Sequence, residues 1–182
     1  MWHAERIDRP LRHESYRALL LEGAVIDVDQ VMLRPNAVHR DTWYANPGCQ
    51  VNWWLAVHDL LETESFAFCP KYFAAPIAND SGKLDLTKPW DRSAPPPAPD
   101  TIERPPASEA VRFSLARGEM LLFSGAHLHG GVPVTSGLTR FSMDFRTVDE
   151  DDLEAGRSAP MLDVECRGKA VTEYVKLAWA PP

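Results

Sequence analysis

Cysteine is scarce: three residues, Cys49, Cys69 and Cys166, with no CxxC pair, leave no basis for a disulfide framework or a thiolate zinc site. No apolar run approaches membrane-spanning length, and the opening MWHAERIDRP lacks a signal-peptide core, so a cytoplasmic protein with no membrane partner is expected. Basic charge is short as well. Nineteen Lys and Arg stand against 26 Asp and Glu, and the net charge of −7 offers no basic face to neutralise phosphates, which argues against a nucleic-acid partner. Internal repeats are missing, and only one segment early in the chain reads as a helix. At 182 residues the expectation is a single domain spanning residues 1–182 with a substantial core.

What the chain has in excess is proline, 16 residues, and tryptophan, six. The prolines cluster in connections and favour many short elements over long helices. Arg12 to Leu21 (RHESYRALLL) reads as a short N-terminal helix, and Ala24 to Leu33 (AVIDVDQVML) alternates as a half-buried strand does. Val51 to Val57 and Ser65 to Cys69 read as buried strands; Ala110 to Ala116, Glu119 to Ser124 and Arg140 to Val148 are strand-like. Turns are expected at Gly118-Glu119 and Thr135-Ser136-Gly137. Val171 to Trp179 is either a last strand or a short helix. The proline-rich stretch at about 93–107, with APPPAPDTIERPPA from Ala94 to Ala107, cannot hold regular structure and reads as a surface loop or lid. This pattern predicts a mostly β, antiparallel sandwich or barrel.

The chemistry gathers in a few residues. His39 and Asp41 flank Arg40, so on an extended backbone both side chains point to one side. His129 follows an apolar strand among small residues that permit close backbone approach. Two imidazoles and one carboxylate hold a divalent metal on one face and leave the other open, the arrangement of non-haem Fe(II) oxygenases. His127 competes with His129 and would share its face in a strand. Arg140 and Ser142 share a face of the last strand, and a guanidinium fork with a hydroxyl suits a carboxylate. Each motif also has a plain reading: a surface turn for H-x-D, a hydrogen-bonded structural histidine for His127, a solvent-facing arginine for Arg140.

HRD at 39–41, QVNWWLAV at 50–57, ETES at 62–65, GEMLLFSGAHLHGG at 118–131 and TSGLTRFSMDFRTV at 135–148 together resemble the Fe(II)/2-oxoglutarate-dependent dioxygenases, within them the phytanoyl-CoA dioxygenase-like branch. The resemblance implies a double-stranded β-helix (jelly roll) with few helices. It implies iron held by His39, Asp41 and His129, and 2-oxoglutarate bound through Arg140 with Ser142 assisting. Asn52, on the strand that in similar enzymes makes polar contacts to the co-substrate, is a further contact. The implied reaction converts 2-oxoglutarate, O2 and a small-molecule substrate to succinate, CO2 and an oxidised product, and a carboxylate at Asp41 favours hydroxylation over halogenation. Only 38 residues precede the H-x-D motif, fewer than the family usually carries, so the chain is expected to be a pared-down version, a start-shortened one, or one that relies on a partner subunit, as in a homodimer.

Trp43 and Tyr44 either wall the substrate pocket or fill core space, and Arg146 either meets an acidic substrate group or pairs with nearby carboxylates. Two rival readings stand beside the oxygenase. A non-catalytic jelly-roll binding module would keep the ligand residues without turnover. A cupin-type metal-dependent isomerase would use His127 with His129 and not need His39.

Overall fold

The computed structural model describes residues 37–88, 98–134 and 140–176. Among them six strands form two antiparallel sheets: β1 (Val51–Ala56), β2 (Phe66–Phe68), β3 (Val111–Arg112), β4 (Met120–Ser124), β5 (His129–Gly131) and β6 (Ser142–Thr147). One sheet runs β4-β1-β6 and the other β3-β2-β5. Helix is limited there to short 3-10 turns and α1 (Glu150–Glu154), so the described chain is mostly β. None of its helices is long and apolar enough to cross a membrane. The helix expected at 12–21, the strand at 24–33 and the turn at 135–137 lie outside the described residues.

Alternation sets the first sheet. In VNWWLA the side chains of Asn52, Trp54 and Ala56 are buried while Val51, Trp53 and Leu55 are only partly so, the period-2 pattern of a strand with one face inward. The register sets Phe123 and Leu121 of β4 on that same inner face, opposite Asn52 and Trp54. It sets Arg146, Asp144 and Ser142 of β6 there too, opposite Asn52, Trp54 and Ala56. Phe66 and Phe68 of β2 close the core from the other sheet, with Trp54 edge-on to Phe66 at 4.7 Å and Phe68 edge-on to Phe123 at 4.9 Å. Each ring buried this way contributes roughly 2–3 kcal/mol. These aromatic contacts hold the two sheets face to face.

Several elements differ from their sequence pattern for identifiable reasons. The strand expected over Ala110 to Ala116 pairs with β2 only at Val111 and Arg112; Leu115 exchanges both backbone bonds with Leu60 instead, so the chain changes partner midway. Gly118 makes the expected turn with φ +89°, a conformation glycine adopts without steric cost. Ala170–Glu173 is a 3-10 turn, which favours the helical alternative for the start of that segment. The acidic stretch at Asp149 is a helix start. The Asp149 carboxylate accepts the Asp152 N–H, and three acids fill the first turn, where the positive end of the peptide dipoles favours them.

Of the proline-rich stretch, residues 98–107 are described. Its exit is stitched to the chain just before the H-x-D motif: Asp100 accepts the Val38 N–H at 3.0 Å, and Thr101 N–H donates to the Val38 carbonyl at 3.1 Å. Pro99 is fully buried. This half of the loop is therefore anchored beside the candidate site.

Candidate metal centre

His39 and His129 face each other across an isolated antiparallel bridge, His39 N–H donating to the His129 carbonyl at 2.8 Å and His129 N–H returning to His39 at 2.9 Å. Their rings stand 4.7 Å apart. The backbone is extended through Arg40 (φ −108°, ψ 143°) and then winds into a 3-10 turn at Asp41–Tyr44. That break aims Asp41 back at the histidines, with its Oδ1 3.4 Å from His39 Nε2. Asp41 N–H is fixed by the Gly125 carbonyl at 2.8 Å. Glycine eases this approach, because a Cβ at Gly125 would crowd the Gln50 amide nitrogen at 3.1 Å and the Asp41 Cβ at 3.3 Å.

One ligand atom from each of His39, Asp41 and His129 lies within 4.8 Å of the others, close enough to converge on one ion. The tautomers follow from the backbone. His39 Nδ1 is 2.9 Å from the Ala37 carbonyl, and His129 Nδ1 is 2.9 Å from the His127 carbonyl. A carbonyl only accepts, so each Nδ1 carries a proton, and in the neutral ring each Nε2 presents a lone pair. This is the second-shell pattern that orients metal-bound imidazoles.

Electrostatics favour the metal-binding forms of His129 and Asp41. His129 lies among Phe66, Phe68 and Phe123, with ring centroids 4.9–5.8 Å away, and burial there, reinforced by the charge of His39, lowers its pKa to about 4. Burial alone would raise the Asp41 pKa. When the imidazoles are protonated, a hydrogen bond from His39 Nε2–H and the charges of His129 and His39, with that of Arg146, outweigh it and hold the carboxyl well below the usual range. Tyr44, edge-on to His39 at 5.3 Å, is pushed up to about 12 by burial and by the charge of Asp41.

The remaining sequence candidates divide. Asn52 is buried and donates its amide N–H to Asp41 Oδ2. Arg140 is half-buried. Its Nη1 donates to the carbonyls of Glu64 and Ser65, and its guanidinium lies 5.9 Å over Trp54 and 5.6 Å over the Phe66 ring, which also stands edge-on to His129. Burial lowers its pKa. Ser142 opens β6 opposite Ala56 and is exposed. Arg146 stands 3.9 Å from Asp41 Oδ2 and 3.9 Å from Asp144, so it pairs with carboxylates as the plainer reading had it. His127 stays outside the ligand cluster, stacked on Phe73 at 4.5 Å with Nδ1 3.2 Å from the Ser124 carbonyl. Trp43 is wholly buried in a second core with Cys69 and Leu128, while Tyr44 borders the site.

Sequence reasoning missed Arg40 and Asp163. Arg40 is 1 % exposed, points away from the site, and donates to Asp163 and to the carbonyls of Ala126, Tyr72 and Ala75. Asp163 also accepts from Trp43 Nε1 at 2.8 Å and Ile77 N–H at 2.9 Å. The signal was present, since the residue between two same-side ligands must face the other way. Its distant partner had no local sequence mark.

No family model matches this chain, and no curated protein matches it. Among solved structures, the chain is similar to EvdO2 from Micromonospora carbonacea var. aurantiaca, determined in complex with 2-oxoglutarate, at 19 % identity over 62 % of this chain, with a TM-score of 0.42. That match spans 43 % of EvdO2, less than half its length.

Proposed function

We propose that this chain is a non-haem Fe(II)- and 2-oxoglutarate-dependent dioxygenase of the phytanoyl-CoA dioxygenase-like branch, which hydroxylates a small-molecule metabolite on a double-stranded β-helix. The observation that carries the reading is the convergence of His39, Asp41 and His129 with both Nδ1 protons committed to backbone carbonyls. The donor set fits iron: two neutral nitrogens and one carboxylate oxygen on one side, with no thiolate among them. Bound there with 2-oxoglutarate and O2, iron supplies the oxidising power that couples formation of succinate and CO2 to oxidation of a substrate C–H bond.

The chain's own residues bind, orient and exclude water. His39 and His129 offer Nε2, and Asp41 offers Oδ1. Arg140 binds the distal carboxylate of 2-oxoglutarate from above Phe66 and Trp54, with its Nη1 steadied by the Glu64 and Ser65 carbonyls, and Ser142 assists from the start of β6. The buried Ser65 hydroxyl, on the residue whose carbonyl Arg140 grips, has no hydrogen-bond partner among the described residues. Phe66, Phe68 and Phe123 keep water from the His129 side.

Anaerobic titration with Fe(II) and then 2-oxoglutarate tests the proposal. A visible charge-transfer band that needs both additions is expected. No band would overturn the dioxygenase, and a band without succinate formation under O2 would leave a non-catalytic binding module.

A further inference from the structure

Asp41 has two carboxylate oxygens, and the structure treats them differently. Oδ1 faces His39 Nε2 at 3.4 Å. Oδ2 accepts two amide donors, Gln50 Nε2 at 3.0 Å and Asn52 Nδ2. Gln50 immediately precedes β1 and Asn52 is its second residue; both side chains turn towards Asp41, and they are 1 % and 2 % exposed. Gln50 Nε2 also donates to Asn52 Oδ1 at 2.6 Å. Behind them, Tyr174 donates its hydroxyl to Gln50 Oε1 at 2.5 Å.

The direction of this chain is set by chemistry. An ionised carboxylate only accepts, so both amides must turn N–H groups towards Asp41. The Asn52 oxygen is then left to accept from Gln50, and the Gln50 oxygen to accept from Tyr174. The Tyr174 hydroxyl, which can donate or accept, donates here and anchors the far end of the Gln50 amide, more than 120 residues away in sequence. Every donor and acceptor agrees with one orientation.

We infer that Gln50 and Asn52 are positioning residues that saturate Asp41 Oδ2 and hold this carboxylate to coordination through Oδ1 alone, with Tyr174 locking Gln50 in place. The inference rests on the metal site proposed above. Its consequence is a count of coordination positions. On a six-coordinate ion, a ligand set with one carboxylate oxygen leaves three positions, enough for a two-atom chelating co-substrate and one more ligand. A carboxylate free to bind through both oxygens would leave two.

Co(II) titration of the full chain, with a competing chelator for affinity and the visible d–d spectrum for coordination, tests this without turnover. The wild type should bind one Co(II). Asn52→Ala and Gln50→Ala should weaken binding about 10–100-fold and change the shape of the d–d bands. Tyr174→Phe, which keeps the ring and removes one hydroxyl, should weaken binding several-fold with a smaller change of the same kind, and it decides the matter should the amide variants fail to fold. Unchanged affinity and spectrum in the variants would overturn the inference. So would weaker binding with an unaltered spectrum, which marks a purely structural role. Failure of the wild type to bind Co(II) would instead sink the metal site itself.

Discussion

Around Asp41 most polar groups are paired within the chain, the buried Thr42 hydroxyl excepted, whereas along β6 they open towards solvent. Asp41 is 2 % exposed, both histidines have their Nδ1 atoms committed, and Arg40 behind them is held by Asp163 and three carbonyls. On β6 the inward side chains Ser142, Asp144 and Arg146 are exposed, and the ion pairs of Arg146 are stretched to 3.9 Å. The first region is built before anything binds, since its groups have already lost their freedom and their water. The second keeps polar groups whose partners a ligand can still replace. Changes in the first should therefore act on stability and metal affinity, and changes in the second on ligand affinity.

The largest effect expected is at Arg40. Arg40→Met leaves the Asp163 carboxylate buried without its cation, and breaking such a pair costs roughly 3–5 kcal/mol. Arg157, whose bond to Asp152 is short at 2.6 Å, is 62 % exposed, and Arg157→Met should cost no more than about 1 kcal/mol. Urea unfolding of both variants measures the contrast. Equal losses would mean that the Arg40 hub does not set the rigidity of the metal end.

Metal affinity separates the regions next. His129→Ala removes a ligand and should weaken Co(II) binding by more than the roughly 10–100-fold typical of a lost supporting residue. Arg146→Ala, although its guanidinium is 3.9 Å from Asp41, should change Co(II) affinity only a few-fold. Comparable losses in a chelator competition would show that the β6 arm belongs to the metal centre.

The same division explains what could be read in the sequence. Strands β1 and β4 were legible because each is a short run dominated by apolar residues, aromatic and β-branched ones prominent in β1, even though only burial, not residue type, alternates along β1. The ligand candidates were legible because metal chemistry restricts residue type and local spacing, and the structure brings His39, Asp41 and His129 together. The early end of strand β3 was not legible: Leu115 leaves for Leu60, a partner choice made by the tertiary fold. Nor was Asp163, an ordinary acidic residue until Arg40, Trp43 and Ile77 converge on it. Asn52 was placed in the pocket by its strand face, but whether its amide meets a co-substrate or Asp41 depends on a distance that no sequence pattern encodes.

Acid should weaken the metal-free protein through the buried end. His129 takes up its proton near pH 4 when folded and near 6.5 when unfolded. Between these values the unfolded chain binds more protons, so the contribution of the neutral ring is complete above about pH 6.5 and is lost as pH falls towards 4. The loss is on the order of 2–3 kcal/mol. Asp144 on β6 works in the opposite sense: burial and the charge of Asp41 raise its pKa, so its protonated form is favoured by folding and acid strengthens that contribution. Urea midpoints from pH 7 to pH 4.5 should fall for the wild type and fall less for His129→Ala. A parallel fall in both would remove His129 as the cause.

The smallest effects belong at the open end, and there they discriminate most finely. Arg140 lies over Phe66 and Trp54 and is half-buried, so Arg140→Ala should weaken 2-oxoglutarate binding about tenfold or more while Co(II) affinity stays within a few-fold. Ser142 is exposed and offers a single hydroxyl, so Ser142→Ala should weaken 2-oxoglutarate only a few-fold. Isothermal titration of the Co(II)-loaded protein reads both. If Ser142→Ala matched Arg140→Ala, the two would act as one clamp, and the start of β6 would be as preorganised as the metal end. If Arg140→Ala weakened Co(II) instead of 2-oxoglutarate, its guanidinium would be supporting the Phe66 ring beside His129, and the anion site would have to lie elsewhere.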